Sequence, residues 1–459
     1  MSISAHFPVS IDELERQIRG GSIDTVIVAF PDIQGRPVGK RVTGKFFMEH
    51  VKEHGIEACD YLLSVDVDMD PLPGFRFSNW DSGYGDMQAT PDFTTLRMIP
   101  WVESTAMVLC DLYNSEGQPV SVSPRQILKD QIDKAHTMGF EVKCATELEF
   151  FVFEDSYEKA SSQGWRDLVP HTTTIEDYQI FQTTREEYLI REIRNSMLQA
   201  GIPIEFSKGE AGRGQHEINI TYSDALTTAD NHLIFKNGVK EIAAKHGRAA
   251  TFMAKWSMDE VGSSCHIHCS LWDISSGEPL MGDVDGVGGL SEVGRSFLAG
   301  QLVCAKQLSP CFAPYVNSYR RFVPGSWAPT AIAWGDDNRT CGFRLVGKGP
   351  SRRIECRIPG ADVNPYIALA ANIASGLWGV EHELSLPPSY QGNAYQDSEL
   401  ERIPSNLAEA IKEFESSELG AQILGDDVHF HLLNSARQEW AKANAHVTDW
   451  ELARNFERI

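Results

Sequence analysis

Four short segments of the chain alternate polar and apolar residues, and their polar residues are of types that carry chemistry. The segments are Glu147–Glu149, Gln215–Asn219, His266–Ser270 and Arg353–Arg357. Side chains two residues apart in a β-strand point to the same face. Each segment is therefore predicted to be a strand with carboxylates, imidazoles or guanidinium groups on one face. Mostly aliphatic residues and cysteines occupy the other face.

The spacing of apolar residues predicts most of the remaining elements. Runs of mostly apolar residues predict strands over residues 25–30, 107–112 and 141–153, and the chain is expected to be extended again over 37–42. Helical spacing predicts helices over 11–20, 184–200, 231–246 and 364–378, and amphipathic helices through 405–459. A further helix is expected to begin at Pro124, with Ser123 as its N-cap, and to end at Gly139.

A turn-rich segment, Asn114–Pro119, is the candidate domain boundary. It separates a small N-terminal α+β domain, residues 1–115, from a large mixed domain, residues 120–459. No internal repeat or low-complexity tract interrupts either part. A chain of 459 residues is long enough for more than one domain.

Charge and cysteine content narrow the class of protein. The net charge of −23 argues against a nucleic-acid partner and against binding to anionic membranes. Nine cysteines without a CxxC pair are expected to be buried, reduced thiols, which indicates a reducing compartment. Neither a signal peptide nor an apolar run long enough to span a membrane is evident, so we expect a cytoplasmic protein.

The polar faces combine two chemistries. Carboxylates with one imidazole suit Mg²⁺ or Mn²⁺ better than zinc, and arginines match the geometry of phosphates and carboxylates. In isolation, Glu147 with Glu149 could be a solvated sheet face, and the arginines could form an ion-pair network. Seven arginines nevertheless concentrate in one stretch of an acidic chain: Arg320, Arg321, Arg339, Arg344, Arg352, Arg353 and Arg357. Together these faces indicate metal-assisted phosphoryl chemistry.

Taken in order, longer motifs extend these segments across the chain. They are ELEFF at 147–151, GEAGRGQHE at 209–217, FMAK at 252–255, GSSCHIHCSL at 262–271, YRRFVPG at 319–325, NR at 338–339, RRIECRIP at 352–359 and NPY at 364–366. With these motifs the chain resembles the glutamine synthetase family over essentially its whole length.

The resemblance implies an α+β fold and an assembly. We expect a β-grasp-like N-terminal domain and a catalytic domain whose curved antiparallel sheet is surrounded by helices. Active sites are expected between neighbouring subunits of a homo-oligomer, a dodecamer of two stacked hexameric rings. The substrates implied are L-glutamate, ATP and an amine, with two or more Mg²⁺ or Mn²⁺ ions at each site.

The resemblance also implies a role for individual residues. One metal site would use Glu149, Glu210 and Glu217, and the other Glu147, His266 and Glu355. The catalytic arginines facing the transferring phosphoryl group would be Arg339, Arg344 and Arg353. ATP would contact His268, Ser270, Arg344 and Arg353. Glutamate would be held by Glu149, Gly262, Arg321, Arg339 and Arg357.

The amine pocket departs from the family pattern. Ammonia-using members have a catalytic glutamate one residue after the 319–325 motif, where this chain has Trp327. An Asp-Gly-Ser-Ser run of the ammonium site is replaced around Asp60, Leu62 and Leu63, whereas Tyr178 matches a tyrosine of the amine pocket. Together with Glu210, these residues form the predicted amine pocket. Because ammonium needs acceptors to replace its water shell, the apolar replacements favour a small alkyl, hydroxyalkyl or aryl amine.

The sequence therefore predicts a ligase that joins the γ-carboxylate of glutamate to an organic primary amine, through γ-glutamyl phosphate. Three alternatives stay open. The chain could be a glutamine synthetase that uses ammonia, or a γ-glutamylpolyamine synthetase. It could also be a catalytically inactive structural or regulatory homologue, although all six metal-ligand positions are retained.

Overall fold

The computed structural model describes residues 7–459, which form two sheets and the helices around them. A five-stranded sheet lies in the N-terminal part, with strands β1 (Thr25–Pro31), β2 (Pro37–Thr43), β3 (Ile56–Cys59), β4 (Asp86–Met98) and β5 (Thr105–Tyr113). Its order is β2-β1-β5-β4-β3, and every neighbouring pair is antiparallel except β1 with β5. The sheet and the helices packed on it share a separate apolar core, which includes Leu14, Phe30 and Phe47.

A nine-stranded sheet forms the larger part of the molecule. Its strands are β6 (Phe140–Phe153), β7 (Ile204–Gly209), β8 (Gln215–Ile220), β9 (Ser223–Asp224), β10 (Ala249–Thr251), β11 (Cys265–Asp273), β12 (Trp334–Asp336), β13 (Phe343–Val346) and β14 (Arg353–Cys356). The main order is β12-β13-β14-β11-β6-β8-β7, while β9 and β10 pair with β6. Only β12 with β13 is parallel.

Fifteen helices lie among the described residues, and several surround the larger sheet. The first seven are α1 (Ile11–Arg19), α2 (Gly44–Phe46), α3 (Lys52–His54), α4 (Pro124–Thr137), α5 (Tyr157–Ser162), α6 (Ile180–Thr183) and α7 (Glu187–Gln199). The others are α8 (Ala225–Lys245), α9 (Glu292–Cys304), α10 (Ser309–Phe312), α11 (Pro365–Glu381), α12 (Leu407–Glu415), α13 (Glu418–Leu424), α14 (Asp426–Asn444) and α15 (Asp449–Asn455). A π-helical turn, Phe47–Val51, joins α2 to α3, and short 3₁₀ turns cover Asp60–Leu63, Val287–Gly289, Asn317–Arg321 and Gly349–Ser351.

The predicted α+β class is confirmed, and the predicted elements are present with shifted ends. The helix predicted from residue 231 begins at 225, because the Asp224 side chain accepts the backbone N–H of Thr227 at 2.9 Å and caps it there. Ser123 occupies the N-cap position of α4, but its side chain makes no capping hydrogen bond. Strands β3 and β4 were missed. The division into residues 1–115 and 120–459 stays a proposal, which the separate sheets support.

Behind the larger sheet lies the main core. Leu148, Ile267 and Ile354 are buried there with cysteines of the same strands, and the Sγ atoms of Cys144 and Cys269 are 3.9 Å apart. All nine cysteines are free thiols, and only Cys59 is not fully buried. Within residues 7–459, none of the helices combines the length and apolarity that a membrane crossing requires.

A buried guanidinium joins the N-terminal sheet to the larger part. Arg125 on α4 is 1% exposed and donates to both carboxylate oxygens of Asp230 on α8, at 3.0 and 2.9 Å. It also donates to Asp111 on β5 at 2.6 Å and to Asp92 on β4 at 2.8 Å. One side chain therefore connects four elements.

We expect Arg125→Ala to lower the free energy of unfolding by about 3–5 kcal/mol, because it leaves buried carboxylates without their cation. Urea denaturation followed by circular dichroism measures the change. Lys129→Ala is the control, since Lys129 also pairs with Asp111 but lies nearer the surface. That control is expected to cost about 1 kcal/mol or less. An equal loss in both variants would show that Arg125 has no special structural role.

Candidate active site

The four strands predicted to carry functional polar faces lie side by side in the order β14-β11-β6-β8. In this register Glu149 is opposite Glu217, Glu147 is opposite His266, and His268 is opposite Glu355. Residues directly opposite each other in an antiparallel pair have their side chains on the same face. The pairing therefore gathers the polar faces that the sequence predicts one by one into a single surface.

The first carboxylate cluster contains Glu149, Glu210 and Glu217. One oxygen from each lies within 4.8 Å of the others. Glu210 follows β7 on the short loop to β8, and Lys208 donates to it. The backbone N–H of Ser264 donates to Glu149 at 2.9 Å and orients it. Three carboxylates gathered this closely are the donor set that Mg²⁺ or Mn²⁺ prefers.

The second cluster contains Glu147, Glu355 and both histidines of β11. His266 Nδ1 is 3.3 Å from Glu147 and from Glu355, and His268 Nε2 is 2.8 Å from Glu147 Oε1. Ligand-competent atoms of Glu147, His268 and Glu355 lie within 4.8 Å of one another. The sequence interpretation assigned only His266 to this cation and His268 to the nucleotide. The structure places both imidazoles beside Glu147, so His268 is a second candidate ligand here.

The protonation states of these groups fit divalent cations. Burial and the neighbouring Glu210 raise the pKa of Glu149 to about 7. Burial, and after it the charge of the neighbouring Glu147 carboxylate, raise the pKa of Glu217 to about 9. Burial and Arg357 lower the pKa of His266 to about 4, so its imidazole is neutral and free to bind a metal. Glu149 and Glu217 are crowded with like charge, which a bound cation would relieve.

The raised pKa values predict how stability depends on pH. Without metal, the folded chain holds protons on Glu149 and Glu217 that the unfolded chain releases above about pH 4.5. The metal-free protein should therefore lose stability as the pH rises from about 5 to 9. Mg²⁺ competes with those protons, so its stabilisation should grow over the same range. Thermal melts with EDTA or with Mg²⁺ at pH 6 and pH 9 measure this, and a pH-independent effect of Mg²⁺ would contradict it.

Several arginines lie beside the carboxylates of this surface. Arg344 donates to Glu355 at 2.8 Å and Arg357 donates to it at 2.6 Å, so this fully buried carboxylate is well compensated. Arg321 is buried and donates to the backbone carbonyls of residues 357 and 358. Gly262 permits this packing, because a Cβ there would lie 2.5 Å from Cγ of Arg321. Arg339 remains half exposed at the edge.

These groups line one open cavity of about 620 Å³. It brings together most of the predicted site residues: Glu147, Glu149, Tyr178, Glu210, Glu217, Gly262, His266, His268, Arg321, Trp327, Arg339, Arg344, Arg353, Glu355 and Arg357. Metal, arginine and carboxylate chemistry therefore share a single space. The roles assigned to the individual residues stay proposals.

A second cavity of about 440 Å³ adjoins the first and is lined by His268, Ser270 and Arg353 of the predicted ATP-binding set. Sequence reasoning missed three residues there. The rings of Tyr222 and Trp272 stack at 6.5 Å with an interplanar angle of 21°, and the ammonium of Lys143 lies 3.7 Å from the Trp272 ring centroid. The signal was present, because Trp272 and Lys143 continue the two-residue alternation of β11 and β6.

The predicted amine pocket is only partly assembled in one chain. Trp327 and Tyr178 line the rim of the first cavity with their rings largely exposed. Asp60, Leu62 and Leu63 do not line it. Leu63 is fully buried in the core of the N-terminal sheet, which does not support its assignment to the amine pocket. Asp60 accepts hydrogen bonds from Ser78 and from the backbone of residue 85 within the same part.

Comparisons with known proteins agree with this geometry. The family model "Glutamine synthetase, catalytic domain" matches residues 121–455. A γ-glutamylethanolamide synthetase of Streptomyces coelicolor is 49% identical, over 98% of this chain and 96% of its own length. A glutamate–isopropylamine ligase of a Pseudomonas species is 40% identical, over 95% of this chain and 96% of its own.

Solved structures agree as well. A GmaS–ADP complex superposes with a TM-score of 0.84 at 30% identity, covering 97% of this chain and 99% of that one. The family match spans more than half of the sequence, and it includes every strand that contributes to the two clusters of candidate metal ligands. The chain therefore belongs to the glutamine synthetase family.

Proposed function

We propose that the chain is an ATP-dependent ligase that joins the γ-carboxylate of L-glutamate to a small organic primary amine. The products would be a γ-glutamylamide, ADP and phosphate. The observation that carries the choice of amine is Trp327, whose indole stands at the rim of the cavity. The family resemblance implies a glutamate at this position in members that use ammonia. The two relatives named as a γ-glutamylethanolamide synthetase and a glutamate–isopropylamine ligase support the same choice.

The chemistry follows from the charges in the cavity. A carboxylate does not react directly with an amine, because oxide is too poor a leaving group. Transfer of the γ-phosphoryl group of ATP converts the glutamate carboxylate into an acyl phosphate, from which the amine displaces phosphate. Two divalent cations, held by the two clusters, would supply the charge neutralisation that this transfer needs.

Other residues of the two cavities would bind the phosphoryl group, the nucleotide and glutamate. Arg339, Arg344 and Arg353 line the first cavity, and Arg353 also lines the second, so they can hold the phosphoryl group between ATP and glutamate. The stacked Tyr222 and Trp272 with Lys143 offer an aromatic and cationic wall for the nucleotide. Arg357, Arg321 and Gly262 line the first cavity and would hold glutamate there.

The rim favours a neutral or apolar amine substituent. Trp327 and Tyr178 present aromatic faces, and the Lys208 ammonium lies 4.6 Å from the Tyr178 ring centroid. A second cationic group on the amine would approach this ammonium. Polyamines are therefore disfavoured by repulsion as well as by the apolar surface, whereas alkyl, hydroxyalkyl and aryl amines fit.

A panel of amines tests the proposal. Phosphate release from glutamate, ATP and Mg²⁺ is measured with ammonia, methylamine, ethanolamine, isopropylamine, putrescine and aniline. We expect ethanolamine or isopropylamine to exceed both ammonia and putrescine in kcat/KM. Highest turnover with ammonia would overturn the choice of an organic amine, and no release with any amine would favour the inactive homologue.

Trp327→Glu should shift the ratio of kcat/KM for ammonia over the best organic amine by about 10–100-fold toward ammonia. The introduced carboxylate replaces apolar contact with an acceptor for ammonium. Trp165→Glu is the matched control, because Trp165 is 62% exposed and Trp327 is 61% exposed, but Trp165 does not line the cavity. An unchanged ratio in Trp327→Glu would remove this residue from amine selection.

The assembly and location remain part of the proposal. We expect a dodecamer of two hexameric rings, in which Asp60 and Leu62 of one subunit complete the amine pocket of its neighbour. The absence of these two residues from the cavity of their own chain supports this arrangement. Light scattering measures the assembly. Free buried thiols support a reducing, cytoplasmic compartment.

A further inference from the structure

A third group of ligand-type side chains lies on the opposite face of β8 from the active site. It consists of Glu176, Glu186 and His216, each of which is only 2% exposed. Glu176 precedes α6, Glu186 immediately precedes α7, and His216 is the neighbour of Glu217 in β8. Neighbouring residues of a strand point to opposite faces, so His216 faces away from the catalytic cations.

The three side chains converge on one point. One ligand-competent atom of each lies within 4.8 Å of the others, and His216 Nε2 is 2.9 Å from Glu186 Oε2. These two atoms are close but are not aligned as a hydrogen bond. Within residues 7–459, Glu176 Oε2, Glu186 Oε2 and His216 Nε2 find no hydrogen-bond partner. Two ligands about 2.1 Å from one ion would be about 2.9–3.4 Å apart.

Charge makes this group unusual for a protein interior. Two carboxylates and an imidazole are buried together, and among the described residues none of the lysines or arginines forms an ion pair with either carboxylate. Burying carboxylates without compensation is costly, so such groups are protonated, paired or bound to a metal. A single divalent cation would neutralise both carboxylates and satisfy all three unpaired atoms.

We propose that Glu176, Glu186 and His216 bind a structural divalent transition metal ion, with Zn²⁺ as the best fit. The site is separate from the two catalytic clusters and goes beyond the proposed ligase function. One imidazole with two carboxylates is a donor set that suits Zn²⁺. Mg²⁺ prefers oxygen ligands and keeps several of its waters, which a site this enclosed does not favour.

From the opposite face of β8, the ion would hold in place the segments that lead to the active site. Glu176 is two residues from Tyr178, and a Cβ on Gly209 would lie 2.6 Å from the Glu176 carbonyl oxygen. Gly209 precedes Glu210, a member of the first carboxylate cluster. The metal would therefore hold the Tyr178 loop, the start of α7 and β8 in fixed relative positions. This is a positioning role without contact to substrate.

Metal content tests the site. The full-length protein is expressed in medium with added zinc and is then dialysed against EDTA in excess Mg²⁺, which removes zinc from the open catalytic cavity. The zinc that remains bound is measured by plasma mass spectrometry. We expect about one Zn²⁺ per chain in the wild type and in His431→Asn, and a loss of that ion in His216→Asn. His431 is the matched control, a buried histidine that bonds a backbone carbonyl instead of carboxylates. Equal zinc in both variants, or none in the wild type, would overturn the proposal.

A second measurement covers the case in which His216→Asn fails to fold. X-ray absorption of the zinc-loaded wild type should show one imidazole and carboxylate oxygens around the ion. A shell with two imidazoles would place the zinc beside His266 and His268 in the catalytic cavity and overturn the assignment. Glu186→Gln, which keeps the shape of the side chain, should lose the ion as His216→Asn does. A protonated carboxyl pair without metal would leave Glu186→Gln as stable as the wild type, with zinc in neither protein.

Discussion

Replacing Arg353 with alanine should lower amine-dependent phosphate release by about 10³-fold, the largest single effect that we expect. Arg353 lies on β14 and lines both cavities, so its guanidinium stands where the proposed ATP and glutamate sites adjoin. Its Nε lies 3.2 Å from Nδ1 of His268. Negative charge on the transferring phosphoryl group develops at this junction, and removing a fixed cation there removes stabilisation of the transition state.

Steady-state phosphate release with saturating glutamate and amine measures the effect. The KM for ATP should change much less than kcat, because the lost contact strengthens during transfer. Arg353→Lys should recover part of the rate, since it restores the charge without the planar fork. Arg320→Ala is the control, an exposed arginine outside both cavities, and it should retain full activity. A loss below about 10-fold in Arg353→Ala would remove Arg353 from the transfer step.

Glu217→Gln should lower kcat/KM by about 10²–10³-fold without destabilising the metal-free chain. Glu217 is buried beside Glu149 and Glu210, and its pKa is raised by burial and by like charge. The neutral amide keeps the size of the side chain and removes that repulsion, but it cannot replace a carboxylate as a ligand of Mg²⁺. Activity and stability should therefore change independently.

Two comparisons separate this explanation from simple damage to the fold. Glu57→Gln, on the exposed side of β3, should leave both activity and stability unchanged. Glu355→Gln should also lower activity, but it should in addition lower the free energy of unfolding by about 3–5 kcal/mol, because Arg344 and Arg357 lose their buried partner. Isothermal titration with Mg²⁺ and urea denaturation measure the two properties. If Glu217→Gln bound Mg²⁺ as tightly as the wild type, the first cluster would not be a cation site.

Several parts of the site could be predicted from the sequence because strand periodicity is local. The alternation at Glu147 and Glu149, and at His266 and His268, fixes which side chains share a face once each segment is extended. The same alternation reaches Lys143 and Trp272, which line the second cavity, and following each strand to its end would have found them. The strong helical spacings likewise predicted α4, α8 and α11.

Other parts depended on contacts that no local pattern contains. Leu63 was assigned to an amine pocket by its position in a motif, yet it packs into the core of the N-terminal sheet. Glu176 lies in a loop without periodicity, and Glu186 fell within the helix predicted over 184–200, where spacing alone names no partner for it. His216 was interpreted only as a residue on the back of its strand, between Gln215 and Glu217. Strand β4 was missed because its polar residues obscure the alternation. The partners of each of these residues come from elsewhere in the chain.

By itself the sequence determined the type of chemistry, because residue type and a two-residue period are enough to give each strand a carboxylate, imidazole or guanidinium face. Only the tertiary structure decided how these faces meet. The antiparallel register places Glu149 opposite Glu217 and His268 opposite Glu355, which divides one surface into two clusters of candidate metal ligands. It also buried Leu63 and collected Glu176, Glu186 and His216 behind the site. Register and burial depend on long-range packing, which the order of residues along one strand does not contain.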